Sequence, residues 1–88
     1  MHYMTTWTFR PEHTKEAIDR FMETGGLPPE GVTMVSRWHD VGGTRGFAIT
    51  ETDDPVALGK WCNQWNDLIS FEIIPILDDE QIKAVLES

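Results

Sequence analysis

The segment at residues 37–47 constrains the fold of this 88-residue chain more than any other. It joins two runs with strand character, residues 32–40 and 44–52, through the pair Gly42-Gly43. Two glycines between alternating strand-like runs are a strong signal for a β-hairpin. We therefore expect two adjacent antiparallel strands at the centre of the fold.

The side chains that flank the turn predict the register of this hairpin. A turn at the glycines places Asp40 opposite Arg45 and Trp38 opposite Phe47. Each of these cross-strand pairs favours the register by roughly 0.2 to 1 kcal/mol. The same register pairs Ser36 with Ile49, His39 with Gly46, and Arg37 with Ala48.

The first third of the chain predicts a strand followed by a helix. Residues 3–9 are rich in threonine and aromatic residues, which suit a half-buried strand. Pro11 suits the first turn of a helix, and Gly25-Gly26 ends it. Four residues recur at helical spacing and form its expected apolar stripe: Ala17, Ile18, Phe21 and Met22.

A second helix, a strand and a short third helix follow the hairpin. Asp54 is the expected N-cap of the second helix and Pro55 its first residue. Its expected apolar stripe consists of Leu58, Trp61, Cys62, Trp65 and Leu68. Residues 69–77 predict a strand, and Pro75 places it at a sheet edge because proline cannot donate to a central ladder. From Ile73 both faces of this strand are apolar, so we expect cover on both sides, before Asp78 or Asp79 caps the last helix.

The order strand, helix, strand, strand, helix, strand predicts a ferredoxin-like βαββαβ fold of the α+β class. Such a fold has an antiparallel four-stranded sheet with both main helices on one face, here followed by a short C-terminal helix. Its 88 residues suffice for one domain, residues 1–88. A core this small leaves a thin margin of stability, which favours a homodimer.

Charge and cysteine usage narrow the classes of partner. Seven basic residues against fifteen acidic ones give a net charge of −8, so we expect neither nucleic acid nor an anionic membrane surface as a partner. The N-terminus lacks a basic segment followed by an apolar one, so we expect no signal peptide there. The single Cys62 fits a reducing compartment, and the prediction is a cytoplasmic protein.

Several segments together resemble a family of short proteins defined as a domain of unknown function, DUF3303. They are residues 3–9, 27–32, 37–39, 42–43, 45–48, 61–65 and 75–79. The likeness covers nearly the whole chain. It implies the layout of a dimeric α/β-barrel, in which two ferredoxin-like sheets pack face to face, and hence a homodimer. It implies no activity, so no catalytic residue is carried over.

Arg37 and His39 are the first candidate site residues. They share one face of a strand, above the small residues Ala48 and Gly46, which leave space for a ligand. A cationic Arg beside a titratable His suits a carboxylate or phosphate group. The alternative is that this face is a dimer interface in which partner-chain acceptors satisfy both residues.

Trp61 and Trp65 are the second pair of candidates. They lie four residues apart and so share one helix face, where they could form an aromatic wall for a flat ligand. The alternative is that both belong to the core. We expect no bound metal, because the histidines are scattered along the sequence, and no cofactor. We expect the thiol of Cys62 to be unreactive, because it lies on the buried stripe of the second helix.

Three functions remain open from the sequence. The first is a homodimer that binds a small aromatic or acidic molecule in a cleft between sheet and helices, lined by Arg37, His39, Trp61 and Trp65. It requires the Arg37 face of the hairpin to meet the helices. The second is a cofactor-independent oxygenase or isomerase, with His39 as acid or base and Arg37 stabilising an oxyanion. The third is a structural or interaction module with no ligand.

Overall fold

The computed structural model describes residues 1–88 and shows the predicted order of elements. The strands are β1 (His2–Phe9), β2 (Thr33–His39), β3 (Arg45–Glu51) and β4 (Ile69–Ile76). The helices are α1 (Thr14–Thr24), α2 (Pro55–Asn63) and α3 (Asp79–Leu86), and a 3-10 turn (Pro11–His13) precedes α1.

The four strands form one antiparallel sheet in the order β2-β3-β1-β4. This order and the βαββαβ connectivity confirm the ferredoxin-like α+β prediction. Strand β4 lies at the sheet edge, where the missing N–H of Pro75 does least harm to the ladder. The two central strands, β1 and β3, carry the most deeply buried positions of the sheet.

The hairpin of β2 and β3 has the register that its side chains predict. Trp38 pairs with Phe47, His39 with Gly46, and Arg37 with Ala48. At the turn, the N–H of Gly43 donates to the carbonyl of Asp40 at 2.8 Å, and Gly43 has a φ of 75°, a conformation that favours glycine. The Asp40 carboxylate also accepts from Nε of Arg45 at 3.1 Å.

Helix ends follow the capping residues that the sequence indicates. The Asp54 carboxylate accepts hydrogen bonds from the backbone N–H groups of Val56 and Ala57, and so caps α2. Asp78 caps α3 in a reciprocal arrangement with Gln81. None of the helices has the length and apolar character that crossing a lipid bilayer requires.

The apolar stripes of both main helices are shorter than the sequence suggests. Helix α2 ends at Asn63, so Trp65 and Leu68 lie in the turns after it, although both are buried. On α1, Ile18 and Met22 are 47% and 77% exposed, and only Ala17 and Phe21 of the expected stripe point inward. The periodicity thus overstates both the length of regular helix and, on α1, the width of the buried stripe.

The two faces of the sheet differ in cover. Helices α1 and α2 and the turns after α2 lie on one face, which we call the covered face, over a core that contains Trp7, Ala48 and Leu58. Neither α1 nor α2 lies over the opposite face, which we call the open face, and Trp38 there is 67% exposed. The expected cover on both sides of β4 is therefore not supplied by this chain, and Ile74 is 42% exposed.

Candidate functional site

The hairpin turns its Arg37 face toward the helices. Nη1 of Arg37 donates to the carbonyl of Gly25 at 3.1 Å and to that of Gly26 at 3.0 Å, at the C-terminal end of α1. The guanidinium carbon lies 5.0 Å from the ring centroid of Phe21, over its face. The arrangement that the binding hypothesis requires, with Arg37 and His39 on the covered face, is the one that the structure has.

A pocket of about 220 Å³ opens between the covered face and the helices. Its lining brings together all four residues that the sequence nominates: Arg37, His39, Trp61 and Trp65. The remaining lining is apolar apart from backbone and the indole N–H of Trp7, and comes mainly from Trp7, Phe9, Ala17, Ile18, Phe21 and Ile69. The pocket is thus an aromatic cleft with its charged and titratable groups on the β2 side.

Trp7 and Phe21 belong to this lining and are absent from the four residues nominated by sequence. The indole of Trp7 packs directly on Gly46, where an added Cβ would collide with Cζ2, Cε2 and Nε1 of the indole. Only glycine at this position lets the ring lie across β3. The signal lies in the cross-strand pairing, because Trp7 is opposite Gly46 in the β1–β3 register.

His39 stands at the solvent-exposed side of the pocket. Its imidazole lies edge-on to two aromatic rings, with centroids 6.3 Å from Trp7 and 5.7 Å from Phe21. These rings orient the imidazole, and no side-chain or backbone group of the chain hydrogen-bonds it. Both ring nitrogens therefore stay available to a ligand or to water.

Trp61 and Trp65 form the helix-side wall and are 6% and 8% exposed. Their placement satisfies both interpretations that the sequence left open, since each is part of the core and each lines the pocket. An ion pair holds the outer side of this wall. Arg20 donates to both carboxylate oxygens of Asp67 at 2.9 Å and stacks 5.5 Å from the Trp65 ring.

The hydrogen bonds between Arg20 and Asp67 raise the pKa of Arg20 and lower that of Asp67.

Cys62 lies outside the pocket, and burial raises the pKa of its thiol, which reduces its reactivity. No group of three or more His, Cys, Asp or Glu side chains is arranged to hold a metal ion. The chemistry of the site therefore rests on an arginine, a histidine and aromatic surfaces.

The chain is similar to several solved structures at low sequence identity. A candidate antibiotic biosynthesis monooxygenase from Nitrosomonas europaea aligns with a TM-score of 0.51 at 10% identity, over 89% of this chain and 100% of its own. Rv0793 from Mycobacterium tuberculosis aligns with a TM-score of 0.49 at 13% identity, over 89% and 95%. PA3566 from Pseudomonas aeruginosa gives 0.49 at 17%, over 88% and 93%.

No curated protein matches the sequence. The family comparison is positive, and the model of one family, described as a domain of unknown function (DUF3303), matches residues 1–88. The match spans every strand and helix of the fold, including the residues that line the pocket. The chain therefore belongs to the DUF3303 family.

Proposed function

We propose that this protein binds a small aromatic or acidic molecule in the pocket between the covered face and the helices, and that it does so as a homodimer. One observation carries the binding proposal: Arg37, His39, Trp61 and Trp65 converge on one apolar cleft. Ligand sites are typically concave and apolar, with a few polar groups that orient the ligand.

We also propose a cytoplasmic location, which the single Cys62 fits because it cannot form an internal disulfide bond.

The homodimer is supported by the open face. Its exposed apolar side chains include Val35 at 55%, Trp38 at 67% and Ile74 at 42%. Large exposed apolar side chains on one sheet face are typical of an interaction site. A second copy of this chain is the simplest partner, because a two-fold axis places the same face of each copy against the other. Two sheets that face each other in this way pack about 10 Å apart.

Calorimetric titration with 2-naphthol and 2-naphthoate tests the binding proposal. Ile18 lines the pocket and Met22 does not, while both are exposed residues of α1. We expect binding to the wild-type protein, a loss of affinity of about tenfold or more in Ile18→Trp, whose ring fills part of the cleft, and no change in Met22→Trp. A wild-type protein that binds neither compound at millimolar concentration would contradict the proposal and leave the third function, a module without a ligand.

The free imidazole of His39 favours an enzyme as the second candidate function. An oriented imidazole with both nitrogens available suits an acid or base, and Arg37 stands on the same strand face to stabilise an oxyanion. The candidate antibiotic biosynthesis monooxygenase from Nitrosomonas europaea shares the fold, and we propose oxygenation of a phenol as the reaction to test. Oxygen uptake with 2-naphthol that is lost in His39→Ala, while 2-naphthol binding persists, would favour the enzyme over the binding module.

A further inference from the structure

The charge of Arg37 is unbalanced in a way that no other half-buried arginine shares. Arg20, also half-buried, is paired with Asp67 at 2.9 Å, and the exposed Arg45 is paired with Asp40 at 3.1 Å. Arg37 has no carboxylate within salt-bridge distance, although acidic residues outnumber basic ones by fifteen to seven. The carbonyls at the C-terminal end of α1 offset only part of this charge, and a partly desolvated cation without a full counter-charge favours an anionic ligand.

The guanidinium is also fixed in place. Nη1 is held by the carbonyls of Gly25 and Gly26, and the guanidinium carbon lies 5.0 Å from the centroid of the Phe21 ring. Nε and Nη2 donate to no group of the chain, so their N–H groups remain for a ligand. A planar fork of this kind matches the two oxygens of a carboxylate, and its fixed position reduces the entropy lost on binding.

The other polar side chains of the pocket reinforce this preference. The indole N–H groups of Trp7, Trp61 and Trp65 are donors only and are bonded to no acceptor in the chain. No Asp or Glu lines the pocket, so nothing there attracts a cation. The lining therefore offers hydrogen-bond donors and aromatic surfaces, and it offers no side-chain acceptor except the imidazole of His39.

The size of the pocket limits the ring system. A closed apolar cavity of roughly 150 Å³ holds one benzene ring. The present pocket, at about 220 Å³ and open on one side, has room for one or two fused rings. Larger ring systems would have to extend past His39 into solvent.

We propose that the pocket selects a one- or two-ring aromatic acid, with the ring between the tryptophans and Phe21 and the carboxylate on Arg37. This inference deepens the proposed binding function and rests on it. It assigns Arg37 as the residue that determines specificity for an anion. The ammonium analogue of such a ligand is excluded by the same charge.

Three naphthalenes of matched shape test the inference on the wild-type protein at neutral pH: 2-naphthoate, 2-naphthamide and 2-naphthylmethylammonium. We expect 2-naphthoate to bind about tenfold or more tightly than the amide, because a charged hydrogen-bond acceptor meets the guanidinium, and the ammonium compound to bind most weakly. Equal affinities for the acid and the amide would overturn the inference and leave the binding function in place. Failure of all three to bind would overturn the inference, and it would overturn the binding function as well only if 2-naphthol also failed to bind.

Arg37→Met and Arg45→Met separate the role of Arg37 from general electrostatics. Both remove one positive charge from neighbouring strands, but Arg45 lies on the open face and outside the pocket. We expect Arg37→Met to abolish the preference for the acid while the amide still binds, Arg37→Lys to restore part of it, and Arg45→Met to keep it. A preference that survives in a folded Arg37→Met protein would contradict the assignment. Should Arg37→Met not fold, the wild-type comparison of acid and amide decides.

Discussion

The two faces of the one sheet differ in the side chains that they present and in what covers them. At its centre the covered face presents small side chains, with Thr5, Ala48 and Thr50 all at 0% exposure, and around them pack Trp7 of β1 and the aromatic side chains of the helix layer. The open face presents large side chains such as Trp38, which is 67% exposed, and neither main helix covers it. Small residues therefore make room for a pocket on the covered side, while the open side has surface that only another molecule can cover.

The largest expected effect is on the open face. We expect Trp38→Glu to weaken self-association at least about a hundredfold, or about 2.7 kcal/mol, because it removes a large aromatic contact and buries an unpaired carboxylate. Analytical ultracentrifugation at micromolar concentrations measures the change, and circular dichroism checks that the fold is retained.

Val41→Glu is the matched control, since Val41 lies at the tip of the hairpin and is fully exposed. It should associate like the wild-type protein. Single, well-folded wild-type chains at micromolar concentration would remove the homodimer from the proposal and make the open face a surface for a different partner.

The second prediction concerns the close approach on the covered face. Gly46→Ala should lower the free energy of unfolding by about 2 to 3 kcal/mol, because its Cβ would collide with the Trp7 indole and displace a ring that lines the pocket. Urea denaturation measures this loss, and 2-naphthoate binding should weaken in parallel.

Gly59 provides the control, because it lies in α2 and a Cβ added there would meet no atom within 4 Å. Gly59→Ala should stabilise the protein by up to about 1 kcal/mol through helix propensity alone. If Gly46→Ala proved as stable as the wild type, the indole would have another place to lie, and the floor of the pocket would be adaptable.

The contrast between the faces also explains what the sequence could predict. The turn glycines and the pairs Asp40–Arg45 and Trp38–Phe47 specify the hairpin register, because each is a local relation between neighbours on adjacent strands. Which face meets the helices is a different matter. An alternating strand with Arg37 on one side and Trp38 on the other has a plausible buried face either way, and hydrophobicity alone favours Trp38.

The decisive relation is long-range. The carbonyls of Gly25 and Gly26, at the end of α1, accept hydrogen bonds from Arg37. No local sequence pattern in β2 predicts these hydrogen bonds. The length of α2 failed to follow from the sequence for a related reason. Trp65 and Leu68 are buried although they lie in the turns that follow α2. Their spacing from Leu58 and Trp61 matches a helix, so the sequence pattern alone does not show that the regular helix ends earlier.

The third prediction compares two threonines on the covered side. The hydroxyl of Thr50 is buried without a hydrogen-bond partner, whereas that of Thr52 donates to the carbonyl of Gly31 at 2.6 Å. Thr50→Val should stabilise the protein by about 1 kcal/mol, and Thr52→Val should destabilise it by about the same amount. Urea denaturation of the two variants measures both. A loss of stability in Thr50→Val would show that the hydroxyl is bonded, by water for instance.

The smallest expected effect is the acid dependence of the Arg20–Asp67 pair, which braces the helix layer over the covered face. Hydrogen bonds from Arg20 hold the pKa of Asp67 below its ordinary value. The contribution of the pair to the free energy of unfolding is therefore complete above the unfolded-state pKa of about 4, and it is lost as the pH falls through the lower folded-state pKa. Because Asp67 is 56% exposed, solvent screening keeps the contribution small. Asp67→Asn should therefore unfold slightly more easily than the wild type at pH 7, and the two proteins should converge as the pH falls from about 4 through the folded-state pKa of Asp67. Glu23→Gln, on the exposed side of α1 and without an ion pair, should track the wild type throughout. Wild-type and Asp67→Asn stabilities that differ by the same amount from pH 7 to pH 3 would mean that the brace acts through packing on Trp65 alone.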